Sequence, residues 1–133
     1  MEFLVVEDDP VSRTLAAGML KALGYAVRTA ADGMEAISQC RMRAPDAVLM
    51  DVQMPVMDGL QTTRELRRLQ GAGHLPWFPI IVASAFYTPA DRAASFAAGV
   101  DGFVTKPLML AKLGAEVFRV AQRSRPGGPS ARP

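Results

Sequence analysis

Four side chains that could handle a phosphoryl group stand where apolar runs stop. Asp51 follows Ala47-Val48-Leu49-Met50, and Glu7 and Asp8 follow Phe3-Leu4-Val5-Val6. Lys106 follows Gly102-Phe103-Val104-Thr105 and is itself followed by Pro107. An apolar run that ends abruptly on a charge reads as a buried strand presenting that charge at its carboxyl edge. Three carboxylates gathered at one edge repel and resist ionisation unless a cation sits among them. Hard oxygen donors of this kind favour Mg²⁺, which keeps waters and pairs readily with phosphate. Asp51 is the best candidate nucleophile, because a carboxylate can attack a phosphoryl donor and form an aspartyl phosphate. Such transfer needs mostly positioning and charge neutralisation, to which a strand-end lysine contributes. Ser84 closes Ile80-Ile81-Val82-Ala83 and could donate its hydroxyl to a phosphoryl oxygen. Taken singly, each has a plain alternative: a solvated acid, a surface lysine, a turn-capping serine. Their joint placement at strand ends argues against that. Phe103, inside the last run, needs no role beyond filling the core.

These residues have to be positioned by alternating strands and helices. Strands are expected at Phe3–Val6, Ala26–Ala30, Ala47–Met50, Ile80–Ala83 and Gly102–Thr105. Helices are expected near Val11–Leu23, Gly33–Arg43, Gly59–Gln70, Pro89–Ala98 and Met109–Arg123. In the first helix, Leu15, Met19 and Leu23 recur at i, i+4 and i+8, the spacing of a helix. The second strand is short and less apolar, as an edge strand would be. Asp9, beside the acidic pair, reads as a helix-start acid. Gly71–Pro79, with Trp77, reads as a long loop offering surface to a partner. Five βα units with nearly continuous apolar strands imply an α/β fold. The sheet is then doubly wound and parallel, with helices on both faces and any ligand beyond the carboxyl ends of the strands.

The chain has 133 residues, half of them hydrophobic, enough for one packed domain. The domain is expected over residues 1–123, followed by a disordered basic tail over 124–133. The net charge of +2 suggests nucleic acid only superficially: Arg125 and Arg132 of the tail account for both charges. No stretch is long and apolar enough for membrane insertion. Cys40 is the lone cysteine and reads as a small buried hydrophobe, compatible with a reducing cytoplasm.

Together, Glu7-Asp8, the stretch Asp51-Val52-Gln53-Met54-Pro55-Val56-Met57-Asp58-Gly59, Ser84-Ala85 and Lys106-Pro107 resemble the receiver domain of two-component response regulators. The resemblance runs from Phe3 to about Arg123. It implies a flavodoxin-like, five-stranded parallel sheet of order 2-1-3-4-5. It implies Asp51 as phosphoacceptor, with Mg²⁺ held by Glu7, Asp8, Asp51 and the backbone carbonyl of Gln53. Lys106 matches the phosphate-contacting lysine, Ser84 the switch hydroxyl, and Phe103 the switch aromatic. The implied partners are a histidine kinase or histidine phosphotransfer protein and a downstream effector, read through helix four, strand five and helix five. A phosphorylation-dependent homodimer is compatible with this. Such a domain catalyses only its own phosphorylation and dephosphorylation. The sequence departs from the pattern in Phe103, which lacks a phenolic hydroxyl, and in Leu108, where an aromatic is common. Phe86, two beyond Ser84, places an apolar group near the site.

Two other readings compete. The chain resembles the C-terminal receiver of a hybrid histidine kinase, in which case it belongs to a longer protein. A phosphohydrolase acting through an aspartyl phosphate needs a general acid near the nucleophile, and Gln53 stands where one is expected. Only the last helix and a short tail follow Lys106, so direct binding of nucleic acid is not expected.

Overall fold

A computed structural model describes residues 1–122. Five strands, β1 (Glu2–Val6), β2 (Ala26–Ala30), β3 (Ala47–Asp51), β4 (Ile80–Ser84) and β5 (Gly102–Thr105), form one parallel sheet of order β2-β1-β3-β4-β5. Helices α1 (Pro10–Ala22), α2 (Gly33–Met42), α3 (Gly59–Gly71), α4 (Pro89–Ala98) and α5 (Leu110–Ala121) cover it. The expected fold class and strand order are both observed. The expected tail, 124–133, lies outside the described residues.

Alternation along each strand divides the core in two. Leu4, Val6, Val48, Met50, Ile80 and Val82 face α2 and α3. Phe3, Val5, Leu49, Ile81 and Val104 face α1 and α5. Strands buried on both faces need apolar residues at every position, which is why β1, β3 and β4 read as unbroken runs. β2 is half-exposed and lies at the edge, as expected. β5 holds the other edge. There the Glu116 carboxylate accepts from the Phe103 N–H at 2.8 Å, and the Arg119 guanidinium donates to the Asp101 carbonyl at 3.0 Å.

The helices start where the sequence supplies a side-chain acceptor. Asp9, Asp32, Asp58 and Thr88 each cap a helix by accepting from the backbone N–H three residues on. Asp9 is therefore the helix-start acid expected of it. Helix α4 ends on Gly99, whose φ of 109° is open to glycine and strained for other residues.

Two details of packing go beyond what spacing and composition indicate. The inner face of α1 is Ala16, Ala17 and Leu20, while Leu15 is exposed. Of the three spaced residues, Met19 and Leu23 pack partly buried against the core and only Leu15 turns outward. The loop between α3 and β4 is present as expected and mostly at the surface, but it is anchored from within. Leu75 and Phe78 are buried in the core, and Trp77 lies against the Arg67 guanidinium, 5.6 Å from its ring centroid. Arg67 also donates to the carbonyls of Gly99 and Phe78 and pairs with buried Asp101 at 2.6 Å.

Candidate functional site

The register carries the strand-end residues to one edge. Val6 lies opposite Met50, and Asp51 opposite Ala83. Glu7, Asp51 and Ser84 are almost fully buried, while Asp8 is exposed. Carboxylate oxygens of Glu7, Asp8 and Asp51 lie within 4.8 Å of one another. The Lys106 ammonium reaches across from the end of β5, 2.9 Å from Glu7 Oε1 and 3.0 Å from Asp51 Oδ1. The Lys106 backbone N–H donates to the Ser84 carbonyl at 2.8 Å, and the peptide bond to Pro107 is cis.

Charge balance in this pocket is tight. Burial, then hydrogen bonding to Asp51, pushes the Glu7 carboxyl above its ordinary value, and Lys106 partly offsets this. Burial works against the charged form of Lys106, but hydrogen bonds to Glu7 and Asp51 and their charges outweigh it and raise its pKa. The donor set suits Mg²⁺: all three side chains offer hard oxygens, and the exposed Asp8 leaves the cluster open to solvent.

The segment after Asp51 is tightly folded. The Gln53 N–H points back to Asp51 Oδ1 at 3.3 Å, and the Gly59 N–H donates to the Val52 carbonyl at 2.9 Å. A side chain at Gly59 would collide with the Asp51 carbonyl oxygen and lie 2.9 Å from the Val52 Cα, so glycine is required there. Val56, fully exposed, adopts a left-handed φ of 69°, unusual for a β-branched residue.

Ser84 shares the edge but makes no hydrogen bond to Asp51 among those of the described residues. Its Oγ accepts from the Phe86 N–H at 2.9 Å and from Gln53 Nε2 at 3.1 Å. Phe103 is buried, with the Arg92 guanidinium 5.7 Å from its ring centroid and 5.2 Å from that of Phe96. Arg92, and the reach of the Gln53 side chain to Ser84, are not expected from sequence. Arg92 and Phe96 stand one helical turn apart, a pattern that could have revealed the pair. Nothing local points the Gln53 amide at a residue 31 positions away.

A parallel doubly wound sheet with a buried aspartate, an acidic pair and a strand-end lysine at one edge has a close counterpart among known proteins. Residues 3–118 match the family model for the response regulator receiver domain, and the chain belongs to that family. Among curated relatives, the response regulator MprA of Mycobacterium avium and that of Mycobacterium tuberculosis are each 36% identical over 126 residues. That alignment covers 95% of this chain and 53% of theirs, so the chain spans about half the length of these relatives. Among solved structures, it is similar to the receiver domain of sensor histidine kinase PA1611 from Pseudomonas aeruginosa. Identity is 36% and the TM-score 0.78, covering 91% of this chain and 98% of that one; that structure has a magnesium ion coordinated in its active site cleft. Vibrio cholerae chemotaxis protein CheY4 is also similar, at 28% identity and a TM-score of 0.79, covering 90% and 97% of the two chains. Among the described residues no helix is long and apolar enough to cross a membrane.

Proposed function

We propose that this domain accepts a phosphoryl group on Asp51 from a histidine kinase or histidine phosphotransfer protein and signals to a downstream effector. The observation that carries this reading is the Lys106 ammonium set 3.0 Å from Asp51 Oδ1, with Glu7 and Asp8 completing an acidic cluster around the same carboxylate.

In the transfer, an Asp51 oxygen forms a bond to phosphorus as the bond from phosphorus to the donor imidazole breaks. The electron pair of that bond leaves with the imidazole nitrogen. Glu7, Asp8, Asp51 and the backbone carbonyl of Gln53 would hold Mg²⁺, which supplies charge neutralisation for the phosphoryl oxygens. Lys106 holds further positive charge beside Asp51. Ser84 and Phe103 form the switch: the hydroxyl turns toward the bound phosphoryl group and the aromatic ring repacks, altering the surface of α4, β5 and α5. An open groove of about 430 Å³ on that surface is lined by Tyr87, Arg92, Phe103 and Glu116, among others, and is a candidate effector contact.

The similarity to the PA1611 receiver favours a second reading, in which the chain is the receiver part of a hybrid histidine kinase. A phosphohydrolase is disfavoured because Gln53, where a general acid would stand, is engaged with Ser84.

The test is incubation with Mg²⁺ and acetyl phosphate, with intact mass read before and after. One added phosphoryl group, absent without Mg²⁺ and absent in Asp51→Asn, is expected. An unchanged wild-type mass, or equal uptake by the variant, would overturn the reading.

A further inference from the structure

We infer that the Gln53 side chain is a latch on Ser84, holding the hydroxyl away from Asp51 until a phosphoryl group competes for it. The inference rests on the receiver reading and adds a positioning residue to it.

Ser84 Oγ is almost completely buried and has two lone pairs and one proton. The Phe86 N–H at 2.9 Å and Gln53 Nε2 at 3.1 Å fill both lone pairs. Gln53 Oε1 lies 3.5 Å from the same hydroxyl, at the limit of hydrogen-bond reach, and 3.5 Å from the Ala85 N–H. One amide therefore clasps the hydroxyl and the start of the loop leading to α4. The Phe86 contact is backbone and local. The Gln53 contact joins two strand ends, β3 and β4, and is the one that can be exchanged without unfolding the loop.

Gln53 is also tied to the acceptor by its own backbone, whose N–H points at Asp51 Oδ1 at 3.3 Å. A phosphoryl group on Asp51 would thus arrive beside the residue that restrains Ser84. Accepting from Gln53 leaves the Ser84 proton available, but among the hydrogen bonds of the described residues none joins Ser84 to Asp51. To reach a phosphoryl oxygen there, Ser84 Oγ has to swing toward Asp51, and in the proposed latch that swing breaks the Gln53 Nε2 bond. Loss of one neutral hydrogen bond of ordinary net strength changes a two-state equilibrium by about three- to tenfold. Without the latch, the unphosphorylated protein populates the switched arrangement more by that factor, and phosphoryl uptake is faster by up to the same factor.

The experiment is a double-mutant cycle on the full chain: wild type, Gln53→Leu, Ser84→Ala and the double variant. Uptake from acetyl phosphate with Mg²⁺ is timed by intact mass, and amide spectra are recorded without phosphodonor. Leucine keeps the bulk of glutamine and removes its hydrogen bonds. The latch predicts about three- to tenfold faster uptake in Gln53→Leu. It also predicts a shift of the Phe86 amide in the unphosphorylated protein toward its phosphorylated position, and no effect of Gln53→Leu when Ser84 is already alanine. A Gln53→Leu effect of the same size in both backgrounds would mean that Gln53 acts on access to Asp51, and would overturn the latch. No effect in either background would overturn it as well. A wild-type protein that takes up no phosphoryl group would instead overturn the receiver reading beneath it.

Discussion

Lys106→Met tests the electrostatics of the pocket most directly. Methionine keeps most of the aliphatic stem and removes the charge that lies 2.9 Å from Glu7 and 3.0 Å from Asp51. What remains is a group of carboxylates with oxygens within 4.8 Å of one another. At that separation, with an effective dielectric of about 20, two unit charges repel by roughly 3.5 kcal/mol. Removing one partner of a buried ion pair has a similar cost, about 3–5 kcal/mol. Lys106 is a quarter exposed and partly screened, so the cost is discounted from that range to about 2–4 kcal/mol at pH 7. For a domain of this size that corresponds to a fall in Tm of about 10 °C.

The pH dependence follows from the raised pKa of Glu7. An acid whose folded value lies above its unfolded one favours the fold at low pH and opposes it as pH rises through the folded value. Lys106 restrains that rise, so its loss enlarges it. The gap between variant and wild type is therefore widest above the Glu7 transition and closes as pH falls toward 4.5. The raised pKa of Lys106 means that its stabilisation, and hence the gap, persists up to the alkaline range and is lost above it. Urea unfolding from pH 4 to 9 measures this, and millimolar Mg²⁺ is expected to restore part of the loss. A variant as stable as wild type at pH 7 without Mg²⁺, or a gap that does not change with pH, would refute the argument.

Gly59→Ala forces a methyl group against the Asp51 carbonyl and Val52. It is expected to destabilise by about 1–3 kcal/mol in urea unfolding and to slow phosphoryl uptake by displacing Asp51. Val56→Asn replaces an exposed β-branched residue at φ 69° with one that tolerates that region, and should stabilise the protein by about 1 kcal/mol.

The fold was legible because β1, β3 and β4 are buried on both faces, and β1, β3 and β5 stop on charges. Four of the side chains that meet at the pocket, Glu7, Asp8, Asp51 and Lys106, were found from those stops alone. The inner face of α1 is only partly legible: Met19 and Leu23 pack on the core, but Ala16 and Ala17 carry little hydrophobic signal and Leu15 points outward. The loop over 72–79 is legible from its glycines and prolines, but its anchoring is not, because nothing local marks Leu75 and Phe78 as members of the core. The contacts of Gln53 and Arg92 depend on where side chains point across elements, and no local period encodes that direction.

The outer margin of β5 carries a last consequence. A bare terminal strand invites a foreign strand to extend the sheet. Here the Phe103 amide and the Asp101 carbonyl are already occupied by Glu116 and Arg119 from α5. A visiting protein finds no free ladder at those two groups and must engage this flank through side-chain shape and charge. If Phe103 repacks as proposed, those are the properties that change, and a message carried by side chains can be withdrawn without unzipping the sheet.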